Sequence, residues 1–325
     1  MKKLFLVLML IFILAVCTYV LTSNGVSATE NKDFPDKSEP IEESKKTVES
    51  FTGCLTAANA VLVDVGNDSL LFEKNAREKC FPASTTKVLT ALIAIENCDL
   101  TEEVTVRDEA NLPSIESSKA GIRYGEKLSM EQLLNCLLIP SGNDAAYTIA
   151  AYTARKACGN KMLSDGEAVQ YFCELMNRRA KELGAQNSRF VNPDGFHSAD
   201  HYSTAYDMCL IAQEAIKHKE FRDIVRRETY RLPDVKIADK NGKKRSEARI
   251  LINTNKLVLK NDSYYFKYAV GVKTGHTQEA GYCLVSSAGA NGKSVLAVVM
   301  NSTEEDIWDD STRLLKWGVK WYNNP

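Results

Sequence analysis

The alternation of apolar and polar positions divides the chain into contrasting stretches. Lys2 and Lys3 precede an apolar run from Leu4 to Leu21, and the chain then turns polar through the small residues Val26-Ser27-Ala28. After it come Glu, Lys, Asp, Ser and Pro with only isolated apolar residues. That is too little apolar surface to offset the entropy of ordering, and it predicts a flexible linker over residues 29–53. Ala60-Val61-Leu62-Val63-Asp64 and Leu70-Leu71-Phe72 read as two short strands about the turn Gly66-Asn67-Asp68. From Val88 to Ile95 the chain is apolar nearly all round, which predicts a helix buried on every side.

From about residue 100 to 215 the pattern is mostly helical. Glu131–Leu138 is an amphipathic helix stopped by Pro140, the next helix begins inside Ser141-Gly142-Asn143-Asp144, and another is expected from Ser203 to Lys217. Between them Asn192-Pro193-Asp194-Gly195-Phe196-His197 is dense in turn formers. Three strands are predicted in the last third, Tyr264–Lys273, Gly281–Ala288 and Ser294–Met300, followed by a closing helix over Glu305–Tyr322. Strand-rich ends around a helical insert predict an α/β (α+β) fold, an antiparallel sheet flanked by helices with an inserted helical subdomain.

Composition adds an address and removes some functions. With 325 residues, 44% hydrophobic and 26% charged, the chain has the make-up of a soluble globular protein of one large or two ordinary domains. A net charge of -1 and no arginine-rich stripe leave nothing to bind nucleic acid. Residues 1–28 read as a signal peptide or an N-terminal anchor, since the run of residues 4–21 is long for a signal core and near the length of a membrane span. Either way the protein is exported: extracytoplasmic, secreted or attached to the outer face of the cytoplasmic membrane. Eight of the nine cysteines lie beyond this segment, a number that permits disulfides in an exported protein, but no pair is spaced as Cys-x-x-Cys. His197, His201 and His276 lack a Cys or carboxylate at ligand spacing, so no metal and no cofactor is expected.

The candidate chemistry centres on Phe81-Pro82-Ala83-Ser84-Thr85-Thr86-Lys87. A serine with a lysine three residues on, at the start of an apolar helix, places hydroxyl and ammonium on one face. No His-Asp pair is evident, so Lys87 is the available base, provided that burial and repulsion from Lys273 keep it neutral. Ser141 is then expected to relay a proton to the leaving amine and Asn143 to hydrogen-bond a substrate amide. Lys273 would hold Ser141 and add positive field. Gly275 would let a substrate backbone lie against the strand edge as an added strand.

Ser-x-x-Lys, Ser-x-Asn and Lys-Thr-Gly in this order form the signature shared by penicillin-binding proteins and class A β-lactamases. Phe-Pro-Ala-Ser-Thr-Thr-Lys at 81–87, Ile-Pro-Ser-Gly-Asn-Asp-Ala at 139–145, His-Tyr-Ser-Thr at 201–204 and Gly-Val-Lys-Thr-Gly-His-Thr at 271–277 resemble the serine D-alanyl-D-alanine carboxypeptidases, the low-molecular-mass penicillin-binding proteins. The resemblance spans roughly residues 54–320. It implies a β-lactamase/transpeptidase-like fold over 54–325. It also implies an oxyanion hole of the Ser84 and His276 backbone N–H groups, and Thr274 and Thr277 hydroxyls that meet the substrate's terminal carboxylate. The implied reaction is acyl transfer to Ser84 with loss of D-alanine from a peptidoglycan stem pentapeptide, then hydrolysis. β-Lactams would acylate the same serine.

Two departures from the family stand out. Where the family commonly carries an arginine that assists carboxylate binding, the matching segment reads Ile307-Trp308-Asp309-Asp310, with Arg313 one helical turn beyond. The β-rich C-terminal domain and amphipathic helix of many relatives are not expected, which leaves residues 4–21 as the membrane attachment. A β-lactamase, a DD-endopeptidase and a penicillin sensor without turnover are the alternative functions. The first needs a glutamate for deacylation, and Asn187–His197 holds none.

Overall fold

The computed structural model describes residues 51–238, 244–290 and 292–323. The expected leader and nearly all of the expected linker lie outside the described residues. Phe51 is already packed, its ring edge-on to Phe72 and Trp317 at 4.9 and 5.9 Å. No helix among the described residues is long and apolar enough to cross a membrane.

The first strand, β1 (Asn59–Asp64), is buried at all six positions, and the reason lies in what covers its two faces. It pairs with β2 (Ser69–Lys74) on one side and with β9 (Lys293–Ser302) on the other, and β9 continues to β8 (Gly281–Ala290) and β7 (Ala269–Thr277). All pairs in this five-stranded sheet are antiparallel. Ala60 and Leu62 of β1, with Val295, Ala297 and Val299 of β9, pack against α7 (Asp306–Asn323). Val61 and Val63, with Leu296, Val298 and Met300, face the helical part of the molecule. A strand buried on both faces needs no polar alternation, so the continuous run Ala60–Val63 and a strand are compatible.

The helical side is built on α1 (Lys87–Asn97), which buries its first eight residues. Around it lie α2 (Met130–Leu138), α3 (Asn143–Ala157), α4 (Asp165–Glu182), α5 (Ala205–Ala215) and α6 (Lys219–Val225). Helix starts follow side-chain capping: Ser129 with Gln132 and Ser164 with Glu167 form capping boxes on α2 and α4, and Thr204 caps α5. A two-strand ribbon of β3 (Glu103–Thr105) and β4 (Lys127–Ser129) completes this part.

Two features depart from the sequence expectations. The strand expected over Tyr264–Lys273 is displaced. Asp262 accepts from Tyr264 N, Phe266 N donates to Leu257 O, and this turn occupies 262–268, so β7 starts at Ala269 and carries Lys273-Thr274-Gly275 inside it rather than at its end. The hairpin of β5 (Thr229–Ala238) and β6 (Lys244–Ile252) was not anticipated, because Pro233 and a dense run of charged residues break the apolar alternation. Its register shifts between Leu232 and Val235, a bulge at the proline. Arg249 ties the hairpin to the helical side by pairing with Glu126 and donating to Gly121 O.

Candidate active site

Ser84 sits in a short 3-10 turn, Ala83–Thr86, that leads into α1. The nucleophile candidate therefore lies just before the helix rather than in its first turn. The turn is held from behind: Thr85 Oγ1 donates to Pro82 O at 2.6 Å, and Thr86 Oγ1 lies 2.8 Å from His201 Nε2. His201 Nδ1 accepts from Val191 N, so Nε2 carries the proton and donates to Thr86. Burial, followed by the Lys87 charge, holds this imidazole down to about 3 and hence neutral.

Lys87 is fully buried. Its Nζ donates to Ser84 Oγ at 2.7 Å and to the Asp194 carbonyl at 2.7 Å. Burial lowers its pKa from the ordinary 10.5 to about 8, with the Asp194 and Asp144 carboxylates pulling the other way. Such a group passes between charged and neutral forms near neutral pH, and it is hydrogen-bonded to a hydroxyl. The repulsion expected to act on Lys87 falls instead on Lys273, also buried, whose ammonium is held well below its ordinary range first by burial and then by Lys87.

The opposite wall is Ser141, on the connection from α2 to α3, and Asn143, the first residue of α3. Ser141 adopts φ 64°, a left-handed conformation that costs a non-glycine residue and is seen where a side chain must be aimed. Asn143 is 5% exposed; its N–H donates to Ser118 O, and its Oδ1 has no hydrogen-bond partner. A buried amide oxygen without a protein partner is available as a hydrogen-bond acceptor. Asp144 accepts from the backbone N–H groups of Ala120, Gly121 and Ile122, fastening the 118–122 segment beside it.

The third wall is β7, an edge strand whose outer side faces the cleft. Gly275 is required there: a Cβ would come 2.9 Å from Ser84 N and 3.1 Å from Pro82 O, so the glycine lets the strand lie directly on the serine turn. Lys273 Nζ donates to Thr274 O at 2.9 Å and lies 3.5 Å from Thr274 Oγ1, and it makes no hydrogen bond with Ser141 among the described residues. Thr277 Oγ1 accepts from Ala280 N and closes the turn to β8, outside the cleft lining. The exposed ring of His276 stacks at a tilt on Tyr282, centroids 4.2 Å apart.

These walls enclose a cleft of about 280 Å³ lined by Ser84, Ser141, Thr274, Gly275 and His276. Sequence reasoning missed Ser118, Thr254, Tyr282 and Trp308, which line it too. It also read Asp194 and Gly195 only as turn formers, although the Asp194 carbonyl holds Lys87 and Gly195, at φ 82°, packs on the Ala83 carbonyl where no Cβ fits. Ile307 is buried against the cleft, while Arg313 turns away to donate to Cys54 O. All eight cysteines among the described residues are free. Among the described residues, Glu96, Glu214 and His218 come close enough to share a cation, but Arg179 already donates to both glutamates.

A serine on a turn ahead of a buried helix, with a lysine one turn on and the edge of an antiparallel sheet across the cleft, defines the DD-peptidase and penicillin-binding class of fold. The crystal structure of the Streptomyces K15 DD-transpeptidase superimposes with a TM-score of 0.72 at 32% identity, covering 82% of this chain and 98% of that one. The D-alanyl-D-alanine carboxypeptidase DacD of Francisella tularensis does so with a TM-score of 0.71 at 27% identity, over 91% and 75% of the two chains. In sequence, the D-alanyl-D-alanine carboxypeptidase DacF of Bacillus subtilis is 32% identical over 277 residues and that of Streptomyces sp. strain K15 33% identical over 276. The aligned regions cover 82% and 81% of this chain, and 63% and 87% of those relatives' lengths. The family model for D-alanyl-D-alanine carboxypeptidase matches residues 44–304, and the chain belongs to that family of serine peptidases, the low-molecular-mass penicillin-binding proteins.

Proposed function

We propose that this protein is an exported serine DD-carboxypeptidase that removes the terminal D-alanine from peptidoglycan stem pentapeptides through an acyl-Ser84 intermediate. The observation that carries the reading is the 2.7 Å contact between Ser84 Oγ and a fully buried Lys87 amine with a pKa of about 8. Neutral Lys87 takes the Ser84 proton as Oγ attacks the carbonyl of the penultimate D-alanine. The developing oxyanion is received by the backbone N–H groups of Ser84 and His276, a reading supported by the close approach of Gly275 to Ser84 N.

The substrate lies along β7 as an added strand, and its amide N–H is accepted by the open Oδ1 of Asn143. Ser141 relays to the leaving amine the proton that Lys87 took from Ser84, which returns both Ser141 and Lys87 to their neutral forms, and Thr274 meets the carboxylate. Lys273, when protonated, adds positive field behind the strand edge. Thr277, bonded to the turn at Ala280, is left a supporting part. Water then hydrolyses the ester, again with Lys87 as base. Penicillin enters as a substrate mimic and acylates Ser84. Export follows from the N-terminal segment, with membrane attachment through residues 4–21 where that segment is retained.

The deciding experiment compares wild type with Ser84→Ala for labelling by a fluorescent penicillin and for D-alanine release from a Lys-D-Ala-D-Ala peptide. Both activities should be present in the wild type and absent from the variant. Stoichiometric labelling without D-alanine release would make the protein a sensor, and rapid turnover of the penicillin a β-lactamase. A wild type that is never labelled would refute the serine mechanism.

A further inference from the structure

One wall of the cleft is formed by a residue outside all three motifs. Thr254 is exposed between two buried asparagines, and its neighbours fix it. Asn253 Nδ2 donates to Val225 O and Arg227 O at 3.2 and 2.8 Å, and Asn253 Oδ1 accepts from Asn255 N. Asn255 Oδ1 accepts from Leu257 N, and Thr254 N donates to Ile139 O, two residues before Ser141. With the backbone tied on both sides, only the Thr254 side chain projects into the cleft.

Its hydroxyl lies 2.6 Å from that of Thr274. Two hydroxyls sharing one hydrogen bond use one of their two protons, which leaves the other without a partner. Among the described residues no Lys or Arg lines the cleft, Arg313 is engaged at Cys54 O, and the Lys273 amine beside Thr274 donates to the Thr274 carbonyl at 2.9 Å. An anion entering here meets hydroxyls rather than a side-chain cation.

We propose that Thr254 is a specificity-determining residue that, together with Thr274, binds the carboxylate of the departing D-alanine. The inference rests on the DD-carboxypeptidase reading above and names how that site recognises a free C-terminus. As the carboxylate arrives, each hydroxyl turns its proton outward, and one neutral hydrogen bond is exchanged for two charge-assisted ones, one to each carboxylate oxygen. Ile307 supplies an apolar flank beside this pair. Recognition is therefore by geometry and weakly dependent on ionic strength.

The test uses the same peptide ending in D-Ala-D-Ala with a free carboxylate and with a C-terminal amide. Wild type should prefer the acid. Thr254→Val, which keeps the branched shape and removes the hydroxyl, should reduce that preference roughly tenfold, through KM rather than kcat, since a hydrogen bond to a charged group is lost. Thr254→Ser should restore it. Competition by the acid and amide peptides against fluorescent-penicillin labelling reads the same preference without turnover, so loss of the carboxypeptidase reading is seen separately from loss of this inference. A wild type indifferent to the carboxylate, or a Thr254→Val loss equal for both peptides, overturns the assignment.

Discussion

The titration of Lys87 fixes how the acylation rate must vary with pH. Only the neutral amine can take the Ser84 proton, and the pKa of about 8 sets the fraction available. The rate should therefore rise about tenfold per pH unit below that value and level off above it, leaving roughly one tenth of the plateau at pH 7. Single-turnover acylation by penicillin, followed from pH 5.5 to 9.5, reads this limb directly. The groups facing Lys87 are Ser84, Asp194, Asp144, Lys273 and His201, and the two carboxylates hold its pKa up. Asp194→Asn should accordingly move the limb to lower pH. The same shift has a stability consequence whose sign is opposite to that of a salt-bridged lysine. The folded pKa lies below the ordinary 10.5, so the cost of burying the ammonium is fully present below about pH 8. It falls as pH rises from 8 to 10.5 and is gone above. The difference between 10.5 and about 8 corresponds to a total of about 3 kcal/mol. Across that range the melting temperature of wild type should rise relative to Lys87→Met, which cannot titrate, by several degrees. A flat acylation profile between pH 6 and 9, or a wild-type-to-variant stability gap that does not change from pH 8 to 10.5, would refute the assignment of Lys87 as the buried base.

Other substitutions probe the walls. Gly275→Ala places a methyl group 2.9 Å from Ser84 N, so it should push β7 off the serine turn and slow acylation about a hundredfold, the scale of losing an oxyanion donor, with little change in melting temperature. Gly195→Ala combines a positive φ with a clash on the Ala83 carbonyl; calorimetry should show a loss of a few kcal/mol, and penicillin labelling should slow with it. Ile307→Arg puts a guanidinium at the apolar flank of the cleft. Steady-state kinetics should show a lower KM for the free-acid peptide that rises again with salt, accompanied by a lower melting temperature because the position is 2% exposed.

Local motifs were legible because each is written within one turn of chain. Ser84 and Lys87 are three residues apart, Ser141 and Asn143 share a helix boundary, and Lys273–Gly275 is continuous, so spacing alone put each set together. The sheet was legible for a similar reason: β1 and β9 are buried on both faces and read as uninterrupted apolar runs, and β8 carries Cys283-Leu284-Val285 ahead of the buried Ser286 and Ser287. What escaped is what pairs across long separations. The Asp194 carbonyl that holds Lys87 is 107 residues away, and a backbone oxygen leaves no mark in the sequence. The β5–β6 hairpin escaped because Pro233 and the charged residues around it break the apolar alternation that would mark a strand.

Ile307 shows how the two kinds of information combine. Read alone, it marks a missing cation and therefore a weakened site. In the folded chain the same cleft receives Thr254, delivered by the Asn253–Asn255 loop to within 2.6 Å of Thr274. Neither threonine is distinctive in composition, and the two are 20 positions apart, separated by the turn that displaced the start of β7. Hydroxyls set on a rigid edge can discriminate a carboxylate without a charged side chain, because the ordering is done before the ligand arrives. On the proposed reading, Ile307 goes with recognition by preorganised donors in place of charge. The salt dependence of KM separates the two, being shallow in wild type and steep only in Ile307→Arg.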